Sequence, residues 1–225
     1  RQRQMCIRDR IIILNSSTTY NNNIIIETMI PYSSAIMEKI KSEVLCGKTY
    51  FIELFPAPTP NIFPFAIAAL AAQQIGPNQT IALDVGSTVF ALADRIKEMP
   101  IRVFSTSLPI ASHLGQSGAK VYVPGGEVQG SEPSIVGVKA VEDLRRFHFD
   151  ISFLGVSGLA EDGFYDYSIE ETEIKAAMVS QSKRNIVLMD SSKFGRVSVA
   201  RVSELTNISL LITCLLYTSD AADDV

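Results

Sequence analysis

At 225 residues, 47% hydrophobic and 20% charged, the chain has the composition of a soluble globular protein with room for one sizeable core. A net charge of −4 gives no global electrostatic footprint for nucleic acid, and no apolar run reaches the roughly 18–20 residues of a membrane span. Three cysteines and two histidines are too few and too scattered for a disulfide framework or a metal site, so a reducing cytoplasm, with no metal and no cofactor, is the expectation.

In chain order, both ends read as foreign. "RQRQMCIRDR" and "CLLYTSDAADDV" resemble translated sequencing-adapter read-through, with joins near residues 10 and 214. Between 11 and about 60, "NSSTTYNNN" is low-complexity and "FPAPTPNIFP" is proline-rich, which breaks regular elements. Residues 1–62 are therefore expected to be an atypical, poorly ordered segment, 63–213 the organised domain and 214–225 a tail. "GKTY" at Gly47 lacks the upstream glycine of a phosphate-binding P-loop and is taken as chance.

From Phe63 the pattern turns regular. "FPFAIAALAAQQI" opens on Pro64 as a first helical turn does, and "PNQTIALDV" is a turn followed by a short strand apolar on both faces. "STVFALADRIKEM" predicts a helix with Phe90, Leu92, Ala93 and Ile96 as its apolar stripe. "IRVFSTS" is a second strand, "LPIASHLGQSG" a short helix and "AKVYVPGG" a third strand. A loop from Glu127 to Pro133 leads to a helix over "SIVGVKAVEDLRRFH", with Val138, Val141 and Leu144 on one side. "FDISFLGVSGL", "IEETEIKAAMVSQS", "RNIVLMD" and "NISLLIT" read as strand, helix, strand and strand. This alternation predicts an α/β fold, Rossmann-like, with a mostly parallel sheet flanked by helices. In such sheets ligands bind beyond the carboxyl ends of the strands.

Those ends carry small, hydroxylated or charged residues: Asp84-Val85-Gly86-Ser87-Thr88, Ser105-Thr106-Ser107, Gly125-Gly126-Glu127, Gly155-Val156-Ser157-Gly158 and Asp190-Ser191-Ser192-Lys193. Gly86 allows close backbone approach, Ser87 and Thr88 can cap the next helix, whose N-terminus favours an anion, and Lys193 supplies a point charge suited to phosphate. Glu170, Glu171, Glu173 and Lys175 open a later helix, either as dipole-favoured residues of a first turn or as a carboxylate group for sugar hydroxyls that Lys175 orients. Glu142, Asp143, Arg145 and Arg146 read as a solvated helix face. "GVSG" lacks the context of a nucleophile elbow, and neither His113 nor His148 sits as a triad partner, which argues against a serine hydrolase.

Taken together, "TIALDVGSTVFALADRI", "VFSTSLPIASHL", "VYVPGGEVQGSEPSIVG", "FDISFLGVSGLAEDGFYDYSIEETEIKAAM" and "VLMDSSKFGR" resemble the C-terminal effector-sensing domain of DeoR-family transcriptional repressors, over roughly 63–213. The resemblance implies a fold similar to ribose-5-phosphate isomerase and glucosamine-6-phosphate deaminase, and an effector that is a phosphorylated sugar or related catabolic intermediate. It implies that Asp84, Gly86, Ser87, Thr88, Ser105, Thr106, Ser107, Gly125, Gly126, Glu127, Glu171, Glu173, Lys175 and Lys193 surround that effector, with Lys193 and the Gly86 loop taking the phosphate. Ser87 replaces the family's commoner Thr, the usual Asn of its Thr-Asn rim is absent from Ser105–Ser107, and Asp190, Lys193 and Phe194 match its Asp-x-x-Lys-Phe segment. Family members begin with a winged helix-turn-helix, for which residues 1–62 offer neither a basic recognition helix nor a wing. The expectation is a sensor fragment without its DNA-binding half, a homo-oligomer in its full-length form and not an enzyme. The alternative is an aldose–ketose isomerase or amino-sugar deaminase on the same fold, with Asp84 or Glu171 as its general base.

Overall fold

Runs with apolar residues on both faces, such as those around Ile81 and Ile151, are stable only inside a sheet covered on both sides. The computed structural model, which describes residues 12–14, 50–54 and 63–214, places them there. Six parallel strands form the centre of the sheet: β3 (Thr80–Leu83), β4 (Arg102–Ser105), β5 (Lys120–Tyr122), β8 (Phe149–Gly155), β11 (Ser182–Asp190) and β13 (Leu210–Cys214). Two short parallel strands, β1 (Ile12–Leu14) and β2 (Tyr50–Leu54), continue it at one edge, giving the order β1-β2-β13-β11-β8-β3-β4-β5. The sequence offers no regular element there; both strands are short apolar runs inside the atypical stretch. The adapter-like ends (1–10 and 215–225), the Asn-rich stretch, the Gly47 segment and the proline-rich residues 55–62 lie outside the described residues.

Side-chain alternation splits the core in two. Ile81, Leu83, Val103, Ile151, Phe153, Ile186 and Leu188 face helices α1 (Phe63–Ala72), α2 (Ser87–Ile96) and α3 (Leu108–Gly115). Ala82, Phe104, Leu154, Val187, Met189 and Leu211 face α4 (Val138–Leu144) and α5 (Ile169–Gln181). Asp84 continues the register of Ala82 and so belongs to the α5 side. From β3 the chain moves outward through β4 and β5, then returns to β8 on the other flank of β3 and moves the opposite way. The reversal opens a crevice at the carboxyl ends of β3 and β8, the position where such sheets bind ligands.

The structure corrects four local expectations. "SIV" is no part of a helix: β7 (Ser134–Val136) pairs antiparallel with β6 (Glu127–Gln129), so a hairpin replaces the expected loop and first helical turn. Thr106 O accepts from Ile135 N at 2.8 Å and holds that hairpin to the end of β4. Helix α4 starts only after Gly137, and Val138 in its first turn is 76% exposed, leaving Ala140, Val141 and Leu144 to pack. In α2, Phe90 is 38% exposed and Val89 takes its place in the buried stripe. Asp143 is no free surface carboxylate: it accepts from Gly125 N at 3.0 Å and pairs with Lys139. A three-stranded antiparallel sheet, order β12-β10-β9, adds strands too short to show an alternation: β9 (Gly158–Ala160), β10 (Gly163–Asp166) and β12 (Ala200–Ser203).

Candidate functional site

The crevice is built around one buried ammonium. Lys175, on the sheet-facing side of α5 and 1% exposed, pairs with Asp84 at the end of β3 and with Asp166 Oδ2 at the end of β10, the latter at 3.1 Å. Asp84 is fixed further by Gly155 N, which donates to Oδ2 at 2.9 Å and so ties β8 to β3 at the reversal. Asp166 accepts from Ser157 Oγ at 2.9 Å and from Tyr167 N at 2.6 Å, and Ser157 Oγ accepts a second bond from Tyr167 N at 3.1 Å. One helical turn before Lys175, Glu171 is half-buried and accepts from Ser134 Oγ at 3.1 Å. Three carboxyl groups thus surround one lysine, brought together from β3, β10 and α5.

Electrostatics follow from burial. Desolvation pushes the Asp84 carboxyl up against the opposing pull of Lys175. Burial also opposes the charge on Lys175, but Asp84 and Asp166 outweigh it and hold the ammonium above the ordinary lysine range. Glu171 is raised by burial and by Asp84, with Lys175 pulling the other way. Lys175 therefore stays charged and already engaged, which leaves it poorly placed to take a phosphate.

The helix starts are of two kinds, α3 and α5 capped by a serine, α2 and α4 beginning on glycine without a side-chain cap. Ser107 caps α3 by accepting from Ile110 N at 3.4 Å, and Ser168 caps α5 by accepting from Glu171 N at 3.2 Å. Helix α2 has Gly86 itself at its N-cap position (φ 109°, ψ 156°) and no side-chain cap. Its first internal bond is Phe90 N to Gly86 O, so the N–H groups of Ser87, Thr88 and Val89 precede the helical ladder. Nothing lies within 4 Å of where a Gly86 Cβ would project. Ser87 and Thr88 thus sit inside the first turn and do not cap it, contrary to the sequence expectation. A cavity of about 550 Å³ opens beside this turn, lined by Pro64, Phe65, Gly86, Ser87, Phe90 and Ser107 among others.

The other expected residues divide. Ser105, Thr106 and Ser107 reach the rim but are committed to the chain: Ser105 Oγ donates to Leu83 O at 2.8 Å and accepts from Ser107 N at 3.1 Å. Gly125 and Gly126 pack at the start of α4, where a Cβ on Gly126 would stand 2.6 Å from Val136 O; Glu127 is exposed at the start of β6. Glu173 is exposed on the face of α5 opposite Glu171 and Lys175, two residues from each, and does not join them. Lys193 lies half-buried in the 3₁₀ turn Ser191–Lys193 after β11, its ammonium without an ion-pair partner among the described residues. Asp190 turns back to accept from Ser192 N at 3.0 Å. Sequence reasoning missed Asp166, Ser134 and Tyr167; the nearest signal was Ser168 followed three residues later by Glu171, a helix-start pattern immediately after Asp166-Tyr167. Among the described residues no group of three or more His, Cys, Asp or Glu is placed to hold a metal ion, and no helix is long and apolar enough to cross a membrane.

Comparison with known proteins agrees with this architecture. The family model "DeoR C terminal sensor domain" matches residues 65–214, and the chain belongs to that family. It is 32% identical over 148 residues to the HTH-type transcriptional repressor GlcR of Bacillus subtilis, covering 65% of this chain and 57% of that protein. It is 26% identical over 150 residues to the glycerol-3-phosphate regulon repressor of Escherichia coli, covering 65% and 60%. The chain thus spans less than two thirds of the length of these relatives, both of which are named as repressors. Among solved structures, eIF2B delta from Chaetomium thermophilum superposes with a TM-score of 0.51 at 17% identity, over 78% of this chain and 68% of that one, a likeness of fold.

Proposed function

We propose that residues 63–213 sense a phosphorylated sugar or related catabolic intermediate and pass its binding on to DNA-binding activity, as part of a homo-oligomeric transcriptional repressor. The observation that carries this reading is the uncapped, glycine-started N-terminus of α2, two residues after Asp84 of the buried Asp84–Lys175 pair. A phosphate accepts from the N–H groups of that turn and gains from the helix dipole, with Lys193, which has no ion-pair partner among the described residues, as a cation. Sugar hydroxyls donate to Glu171, whose carboxyl is already positioned by Ser134. Membership of the sensor family and a relative named for glycerol-3-phosphate support a phosphorylated effector. Operator contact is assigned to a helix-turn-helix segment outside 65–214, and control works by the effector binding one conformation better than another.

The test is thermal unfolding of the chain with glycerol 3-phosphate, glucose 6-phosphate, fructose 1-phosphate and inorganic phosphate. A ligand at about 100 times its Kd adds about 2.7 kcal/mol, or roughly 5–10 °C for a domain of this size. One phosphorylated compound is expected to raise Tm by this amount without being turned over, and Lys193→Ala to abolish most of the rise. A folded domain indifferent to every phosphate would show that the Gly86 turn is purely structural.

A further inference from the structure

Tyr167 is an exposed aromatic residue at the rim. Its side chain is 69% exposed, yet its backbone is among the most constrained at the rim. Its N–H donates to both Asp166 and Ser157, and the next residue, Ser168, caps α5. The ring therefore stands on a fixed base, one residue from the Lys175 cluster. Its phenol feels the charges of Glu171, Asp166, Glu132 and Lys175, and its proton is held more tightly than usual, first because of Glu171. Glu132, one of those charges, also lines the cavity that contains Gly86 and Ser87. Beside Tyr167, the pairing of Asp166 with Ala200 brings Val199, 69% exposed, alongside, and Ile169 is 60% exposed. This is an apolar fringe on a rim otherwise made of hydroxyls, carboxylates and N–H groups.

A phosphorylated polyol has complementary parts: an anion, hydroxyl donors and a C–H face. Binding pockets hold such molecules with a few fixed polar groups and an aromatic wall. On the reading given under Proposed function, we propose that Tyr167 is a specificity-determining residue of the effector site, its ring covering the carbon skeleton while Glu171 accepts from the hydroxyls. Tyrosine suits this role because it offers a rigid, amphipathic surface with little rotamer freedom to lose.

The experiment is calorimetric titration of the whole chain and of Tyr167→Ala and Tyr167→Phe with the same three sugar phosphates and inorganic phosphate, with sedimentation run in parallel. For whichever sugar phosphate the unaltered chain binds, Tyr167→Ala is expected to weaken binding about ten-fold, the scale of one lost aromatic contact. Tyr167→Phe should stay close to the unaltered chain, inorganic phosphate should be unaffected by either change, and the unliganded Tm should not move. Should alanine unsettle the fold, Tyr167→Gln makes the same comparison. Equal affinity in Tyr167→Ala overturns the assignment and leaves the sensor reading intact. A changed sedimenting mass with unchanged affinity also overturns it, and makes the ring a contact between copies of the chain. If the unaltered chain binds none of the probes, the sensor reading fails and Tyr167 with it.

Discussion

Lys175→Met is expected to destabilise the domain by about 3–5 kcal/mol at neutral pH, a fall in Tm of roughly 6–20 °C. The side chain lost is 1% exposed, so little apolar packing changes, but Asp84 and Asp166 are left buried without their cation. The pH dependence separates this cause from simple misfitting. With Lys175 gone, the Asp84 carboxyl, already pushed up by burial, loses the charge that opposed the rise, and as pH falls through its raised value it becomes neutral and the deficit narrows. In the unaltered chain, Lys175 is raised in the fold relative to the unfolded state. Its contribution is therefore complete below the ordinary lysine pKa of about 10.4 and is lost only as pH rises through the higher folded value. Urea unfolding at pH 7 and pH 4 measures the deficit and its narrowing. Combining Lys175→Met with Asp84→Asn and Asp166→Asn is expected to recover most of the loss. A single variant that loses less than about 1 kcal/mol at pH 7 would mean that water reaches the cluster and screens it.

The second large effect lies in the small sheet. Gly163 has φ 153°, and a Cβ there would lie 2.1 Å from Ser203 O and 3.1 Å from Ser203 C, both backbone atoms of β12. Gly163→Ala is expected to cost about 1–3 kcal/mol for the backbone conformation and a further 1–3 kcal/mol for overpacking. Gly137→Ala is the control: it also has a positive φ, 96°, but nothing lies within 4 Å of its Cβ, so only the first cost applies. Because β10 runs from Gly163 directly to Asp166, the strand that yields carries an acid of the Lys175 cluster. Gly163→Ala should therefore weaken effector binding as well as stability, whereas Gly137→Ala should affect stability alone. Equal urea midpoints for the two variants would show that β12 moves aside without cost.

Strands buried on both faces are legible because they need no partner to declare themselves: "TIAL" and "NIVLM" read as interior strands wherever they pair. Asp84 could be found for the same reason, as a charge at the end of such a run. Asp166 could not. It ends a four-residue strand in a sheet whose three members come from 158–160, 163–166 and 200–203, and segments of that length carry no usable periodicity. Ser134 was hidden for a related cause: glycine at 137 looks like one residue within a helical pattern, whereas it is the boundary between β7 and α4. The role given to Lys175 was close but misdirected. Sequence places it one turn from Glu171, and only the docking of α5 on β3 shows that its partner is Asp84. Lys193 and the Gly86 turn could be placed at one rim by topology, while the uncapped state of α2 needed the φ of Gly86 and the open side chains of Ser87 and Thr88.

The ion pair at the centre of the crevice joins residues 91 positions apart in the chain. No short segment can form it, and it gains nothing until β3, β8 and α5 have all assembled and expelled water. It is therefore expected to form after the main barrier to folding has been crossed. Perturbing it should leave the folding rate almost unchanged and speed unfolding instead. On this expectation the persistence of the native state, more than the ease of reaching it, rests on the same charged groups that line the crevice.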